Sequence, residues 1–401
     1  MRKLFLIFSG ILLTQIALSC TVAIIPGKYT ADRRPLLYKH RDNDAGQVKI
    51  MAFMKGKFPF LGLTDADDED QSVWIGFNSA GFAIMNSASY NLNDKNDVAK
   101  DREGWLIREA LANCADVPAF ELFLQNLKKP YGVEANFGVI DAKGNAAFFE
   151  TGNHKFVKID ANEPRNTPLG FALHTNFSFS GRYNDGSGYI RYMNAEMAMF
   201  ALAHTNSISP QGIIQKVSRN LFHSMIKKDL WGEIPFDEKT EHFVSFEDYT
   251  PRFISSSSVV IQGVLPGESP SLTTMWTALG WPLASVTVPV WLTKSGNLPA
   301  MLTAAGTANA PLCEKAVTLK MQCFPIHANN KSRYMNLAAL INTQSTGILQ
   351  KIIPIENAIF AEAEKTMQSL RKEKPDDTTI ISFYEWVDRF VQDEYKKAFG
   401  L

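Results

Sequence analysis

The chain opens on a short apolar run. Residues 4–18 are apolar apart from Ser9, Gly10, Thr14 and Gln15, and Arg2 and Lys3 precede them. The run ends in Ala17-Leu18-Ser19, with small residues at the −3 and −1 positions of a cut after Ser19. A basic start, a short apolar centre and small residues at the cut describe a secretory signal peptide, too short and too interrupted for a good membrane span. No later stretch is long and apolar enough to cross a bilayer.

Beyond it, β-branched and aromatic runs alternate with turn residues. Residues 21–25 (TVAII) end at Pro26-Gly27, Asp32-Arg33-Arg34-Pro35 reads as a turn, and residues 36–40 form a second apolar run, which together predict an N-terminal hairpin. Further strands are predicted at 73–76, 82–86, 136–141, 146–151 and 171–175, with Asp141 to Gly144 as a hairpin turn, and at 257–264, 273–277 and 285–291. Helical patterns fall at 105–115, 118–127, 188–203 and 210–222, and amphipathic ones at 356–372 and 382–399. Mixed strands and helices with several hairpins argue for α+β layers rather than a doubly wound sheet.

Composition narrows the function classes. The 401 residues carry 41 basic and 41 acidic side chains, so the basic excess of a nucleic-acid binder is missing. A hydrophobic content of 45% suffices for a real core and excludes wholesale disorder. Removing 19 of the 401 residues leaves 382, and losing Arg2 and Lys3 leaves 39 basic against 41 acidic residues, a net charge of −2. The sequence has no G-x-S-x-G elbow, Walker loop, G-x-G-x-x-G or H-E-x-x-H, and its seven histidines lack metal-ligand spacing, so a serine hydrolase, a nucleotide enzyme and a zinc peptidase lose ground. The acidic stretch from Asp65 to Asp70 lacks the EF-hand glycine and distal glutamate and reads as a solvated loop. Cys20, Cys114, Cys313 and Cys323 are too few for a disulfide scaffold. Export permits one bridge, for which Cys313 and Cys323 are the best candidates, with two buried thiols as the equal alternative.

A cut after Ser19 would make Cys20 the first residue, and two chemistries compete for it. Acylation would make it the anchor of an envelope lipoprotein, although Ala17 at −3 and Leu18 at −2 suit ordinary signal peptidase better. Alternatively, a free α-amine of pKa ~7.7–8.0 sits on the same residue as the thiol and can take its proton, so that one residue is both nucleophile and base.

Four local patterns follow Cys20. They are His40-Arg41-Asp42-Asn43-Asp44, the stretch from Gly76 through Gly81 to Asn86, His174-Thr175-Asn176-Phe177, and Ser187-Gly188-Tyr189-Ile190-Arg191-Tyr192. In this order, behind a cysteine exposed by processing, they resemble the N-terminal-cysteine branch of the Ntn hydrolases. Within that branch the acyl-CoA:6-aminopenicillanate acyltransferase (peptidase C45) group is nearer than the related choloylglycine hydrolase and penicillin V acylase, and the resemblance implies no metal or organic cofactor. The resemblance covers roughly residues 20–291 and implies a four-layer αββα sandwich, here with additional C-terminal helices. It implies Cys20 as nucleophile, Asp44 as the group that holds the α-amine, and Arg41 beside the thiol. Asn176 would order the nucleophile and help bind the oxyanion. Asn86 would be the second oxyanion donor, with Asn91 as a fallback. Arg191 would stabilise the site or hold a substrate carboxylate. His174 is read as structural and Cys114 as core.

The expected organisation is a signal peptide over 1–19, a catalytic domain over 20–345, and a helical extension over 346–401 packed on that domain. The expected function is an exported, periplasmic or secreted amidohydrolase. It would cleave a small N-acyl amide through a Cys20 thioester, with acyl transfer as the alternative outcome. The rival class is a ligand-binding lipoprotein anchored through Cys20. Acyl group, amine and oligomeric state are left open.

Overall fold

The computed structural model describes residues 20–43, 46–94, 96–97, 99–234, 236–326, 331–372 and 376–401. The strands of its two large sheets are, in chain order, β1 (Cys20–Ile25), β2 (Leu36–Asp42), β3 (Val48–Phe53), β4 (Phe60–Asp65), β5 (Ile75–Asn78), β6 (Ala83–Ala88), β7 (Ala135–Ile140), β8 (Ala146–Thr151), β9 (Phe156–Asp160), β10 (Ala172–His174), β11 (Ser255–Gln262), β12 (Thr274–Leu279) and β13 (Val288–Val290). The first sheet runs β10-β1-β2-β11-β12-β13 and the second runs β3 to β9 in sequence order. Neighbouring strands are antiparallel throughout.

Side-chain alternation sorts the layers, because successive residues of a strand face opposite sides. On the second sheet, Ala83, Met85 and Phe148 enter the core shared with the first sheet. Their neighbours Ile84, Ala147 and Phe149 enter a separate core with α1 (Glu103–Asn113) and α2 (Val117–Asn126). At Gly138 the sheets approach closely: a Cβ there would meet Met85, Phe148 and Ile24 of β1. The outer side of the first sheet is covered by α3 (Tyr189–His204), α4 (Pro311–Cys323), α5 (Ile348–Lys372) and α6 (Asp377–Phe399). The result is an αββα stack, the layering that the sequence resemblance implied. No helix among the described residues is long and apolar enough to cross a membrane.

Several expectations need correction. Strands β3 and β4 were not foreseen: Lys49 interrupts the apolar run of β3, yet it is buried and its ammonium donates to the carbonyls of Ala66 and Gly306. The helix expected at 210–222 is one turn, Pro210–Gly212, running into the π-helical segment Ile213–Ser218, and Phe222 already belongs to a short strand. Helix α4 was not foreseen either, and α5 begins at Ile348, running through Pro354. All four cysteines are free. Cys313 and Cys323 lie ten residues apart on one helix, roughly 15 Å along its axis, far beyond the reach of a disulfide.

Buried polar contacts tie the C-terminal helices to the first sheet. Glu356 of α5 is fully buried and accepts both terminal nitrogens of Arg219, at 2.6 and 2.8 Å, together with the Thr287 backbone N–H. Arg219 also donates to the carbonyls of Pro282 and Ser285. On α6, the Tyr384 hydroxyl bonds both backbone groups of Trp291, and the Tyr395 hydroxyl joins Val286 and Ala284. Removing one partner of a buried ion pair strands the other charge. Glu356→Ala should therefore destabilise the fold by about 3–5 kcal/mol in urea titration.

The helix-facing side of β2 carries His40, fully buried, with Nε2 2.9 Å from Ser255 Oγ. Ser255 donates to Asp42 Oδ1, so Nε2 of His40 must carry the proton that Ser255 accepts. Burial pulls His40 down to about 4, against the opposing effect of Asp42. The unfolded chain thus binds a proton that the folded chain refuses between pH ~6.5 and the folded value. Stability should fall as pH drops through this window, by about 3 kcal/mol from this residue alone. Urea midpoints for wild type and His40→Gln across pH 4–7 check it: the variant should lose less stability on acidification.

Candidate active site

Cys20 stands at the start of β1, on the central sheet interface. The β1–β2 ladder pairs Cys20 with Arg41 and Val22 with Lys39. Directly paired residues share a face, and so do residues two apart, so Cys20, Lys39 and Arg41 all project toward the second sheet. There Asn86 of β6 meets them. On the opposite face, α3 delivers Arg191.

The Cys20 backbone nitrogen donates to Asn176 Oδ1 at 3.1 Å. Arg191 closes the same node: Nη1 donates to the Cys20 carbonyl at 3.0 Å and Nη2 to Asn176 Oδ1 at 2.8 Å. Nη1 also lies 3.4 Å from Thr21 Oγ1. Asn176 turns its amide nitrogen to the Ala88 carbonyl at 2.9 Å, which joins this node to the end of β6. Local sequence explains the reach of Arg191. Gly188 caps α3 with φ of 86°, and a Cβ there would strike the Arg191 guanidinium and Thr175 Oγ1. Burial pulls Arg191 down to about 10. It is only 1% exposed, with its guanidinium turned to the Cys20 carbonyl and Asn176 rather than to solvent.

Arg41 is placed opposite Cys20, but both terminal nitrogens go to Asp65, at 2.6 and 2.8 Å, and its guanidinium lies 4.6 Å from the Trp74 ring centre. Trp74 Nε1 and Asn43 Nδ2 also donate to Asp65. Asp65 is therefore the end of β4 and the anchor of Arg41, which corrects its reading as part of a solvated loop. Asp44 lies outside the described residues.

Asn86 is buried, and its Oδ1 accepts from Lys39 Nζ at 2.8 Å, as does its backbone carbonyl. A lysine can only donate, so the oxygen of the amide must face it and Nδ2 must point away. That Nδ2 has no hydrogen-bond partner among the described residues. Asn91 is different: its Nδ2 donates to the carbonyls of Ser178 and Arg182, and its Oδ1 accepts from Ser89 and from the Ser178 N–H. Of the two, Asn86 is the amide left with an uncommitted donor.

Sequence reasoning passed over Lys39. A lysine inside an apolar strand reads as an edge residue reaching for water. Here it is 1% exposed, its ammonium donates to Asn86, and the strand register sets it diagonal to Cys20 on the same face. The available signal was parity: Lys39 shares the face of Leu37 and Arg41, and that face meets another sheet. Tyr90 also lies near Cys20, with its phenol pushed up by burial and by the Cys20 side chain.

His174 is committed elsewhere. Its Nε2 lies 2.8 Å from Glu150 Oε1, and Glu150 also accepts the N–H groups of Phe179 and Ser180. Burial opposes ionisation of Glu150, but the bonds from His174 and Ser180 outweigh it and hold the carboxyl below its usual range. This pair fixes the segment that follows Asn176. Cys114 is buried beneath α1 and α2, with burial pushing its thiol up to about 12.

No protein-family model matches the sequence, and no curated protein does. Among solved structures, the chain is similar to a conjugated bile acid hydrolase from Clostridium perfringens, with 12% identity and a TM-score of 0.42, over 70% of this chain and 95% of that one. It is similar to a Caenorhabditis elegans orthologue of N-acylethanolamine-hydrolyzing acid amidase, with 13% identity and a TM-score of 0.42, over 62% and 94%. It is similar to penicillin V acylase from Agrobacterium tumefaciens, with 16% identity and a TM-score of 0.41, over 69% and 86%.

Proposed function

We propose that this chain is an exported amidohydrolase that opens linear N-acyl amides through a thioester on Cys20. The observation that carries the reading is the hold on the Cys20 backbone nitrogen. It donates to Asn176 Oδ1, and Arg191 grips both the Cys20 carbonyl and that same oxygen. Once residues 1–19 are removed, this nitrogen becomes an α-amine fixed beside its own thiol. The amide nitrogen of the uncut chain stands in for that amine.

The chemistry follows from the parts. The thiol proton passes to the α-amine, and the sulfur attacks the amide carbon. The carbonyl electron pair moves onto oxygen, where Asn86 Nδ2 supplies a fixed donor that changes no protonation state. The C–N bond then breaks, and the α-ammonium protonates the departing amine. Water attacks the thioester with the amine again acting as base, which releases the acid and the thiol. An amine acceptor in place of water would make the outcome acyl transfer. The catalytic unit runs from Cys20 to about residue 345, and the C-terminal helices brace it.

Substitution tests the reading on any N-acyl amide that the mature wild type turns over. Cys20→Ala should abolish turnover, and Cys20→Ser should slow it by orders of magnitude, because a hydroxyl is far less acidic than a thiol. Asn86→Ala should lower kcat by about 10²–10³-fold with little change in KM, the cost of one oxyanion donor. Wild-type activity in Cys20→Ala would refute the nucleophile. A diacylglyceryl group on Cys20 as the main mature species would favour the lipoprotein anchor instead.

A further inference from the structure

Three cations surround Cys20, and they are not equivalent. Arg191 is spent on backbone and amide oxygens. Arg41 is neutralised by Asp65. Lys39 has no carboxylate within ion-pair distance among the described residues, although it is as deeply buried as either arginine. A buried ammonium without an anion is costly, and a fold keeps one only where something repays the lost hydration. Both contacts of the Lys39 ammonium go to Asn86. The β1–β2 register, Cys20 opposite Arg41 and Val22 opposite Lys39, sets Lys39 diagonal to Cys20 on the same face.

We propose that Lys39 is the counter-ion of the Cys20 thiolate and, through the same ammonium, the clamp that turns Asn86 Nδ2 toward the oxyanion. This rests on Cys20 being the nucleophile, and it adds a residue whose charge shares the face of the reacting sulfur. The proton of the thiol still goes to the α-amine, and Lys39 keeps its own proton throughout. As the C–S bond forms, negative charge leaves the sulfur and appears on the carbonyl oxygen. The ammonium is bound to the oxyanion donor Asn86 and shares the face of the sulfur, so its charge favours both positions.

Burial pulls Lys39 down to about 8, while Cys20 and Asp65 hold it up against the nearby charge of Arg41. The ammonium is thus present at neutral pH and is lost as pH rises through that value. Its advantage to the sulfur must disappear over the same range.

Alkylation of Cys20 by iodoacetamide, followed peptide by peptide with mass spectrometry from pH 6 to 9, tests this without any substrate. Cys114, Cys313 and Cys323 are buried with thiols pushed up by burial, and they serve as slow internal references. At pH 7, Lys39→Met and Lys39→Gln should alkylate Cys20 at least about tenfold more slowly than wild type, while Lys39→Arg stays within about threefold. The advantage of wild type over Lys39→Gln should shrink as pH rises through about 8. The advantage of Lys39→Arg should persist, since a guanidinium keeps its charge there. Circular dichroism confirms folding, and Lys39→Gln, which keeps a donor for Asn86 but no charge, decides the matter should Lys39→Met fail to fold. Wild-type alkylation rates in folded Lys39→Gln at pH 7 would overturn the proposal. If the alkylation pattern holds but no amide is turned over, the pairing stands and the amidase reading falls.

Discussion

One oxygen atom, Oδ1 of Asn176, joins the parts of the site. It accepts from the Cys20 backbone nitrogen and from Arg191, and Arg191 in turn holds the Cys20 carbonyl. A guanidinium near a helix N-terminus is opposed by the helix dipole, and burial adds a desolvation cost. Both are offset only because three acceptors converge on it. The node therefore demands that β1, the segment after β10 and the first turn of α3 arrive together. Gly188 is the residue that lets the guanidinium fold back over its own helix terminus.

The layered fold serves that demand. Placing two sheets face to face brings β6 over β1 and β2, so that Asn86 meets Lys39 and the Ala88 carbonyl meets Asn176. The sheet interface is apolar over most of its area, with Ile24 seated over Gly138. At the Cys20 end it becomes polar, and charges there sit at low effective dielectric. Coulombic terms are strongest under those conditions, and an unpaired group is most expensive. Arg41 with Asp65 and Trp74 meets that cost through a closed pair, whereas Lys39, on the face of Cys20, is met by the oxygens of Asn86 alone.

What could be read from the sequence follows a physical line. Cys20, Asn176 and Arg191 were legible because each belongs to a short local signature at the end of an element, and the order of the signatures fixes their convergence. Asn86 was legible in position but not in orientation, which depends on Lys39. Lys39 itself was hidden because its burial is a property of sheet stacking. Asp65 looked like one member of an acidic turn, since its partner Arg41 lies 24 residues away on another sheet. The same limit governs the helices. The amphipathic pattern placed the helix at 356–372, yet α5 begins at Ile348 and runs through Pro354, because packing against the first sheet, with Glu356 held by Arg219, outweighs a missing hydrogen bond.

The central claim is that the Cys20 sulfur carries the acyl group between amide and acid. The direct measurement is intact-protein mass spectrometry of the mature chain, quenched in acid during turnover of an N-acyl amide. The account predicts a mass increase equal to the acyl group, mapped to the N-terminal peptide that begins at Cys20 and removed by neutral hydroxylamine. An adduct on another residue, or turnover with no adduct under conditions where release of the acid is rate-limiting, would contradict it.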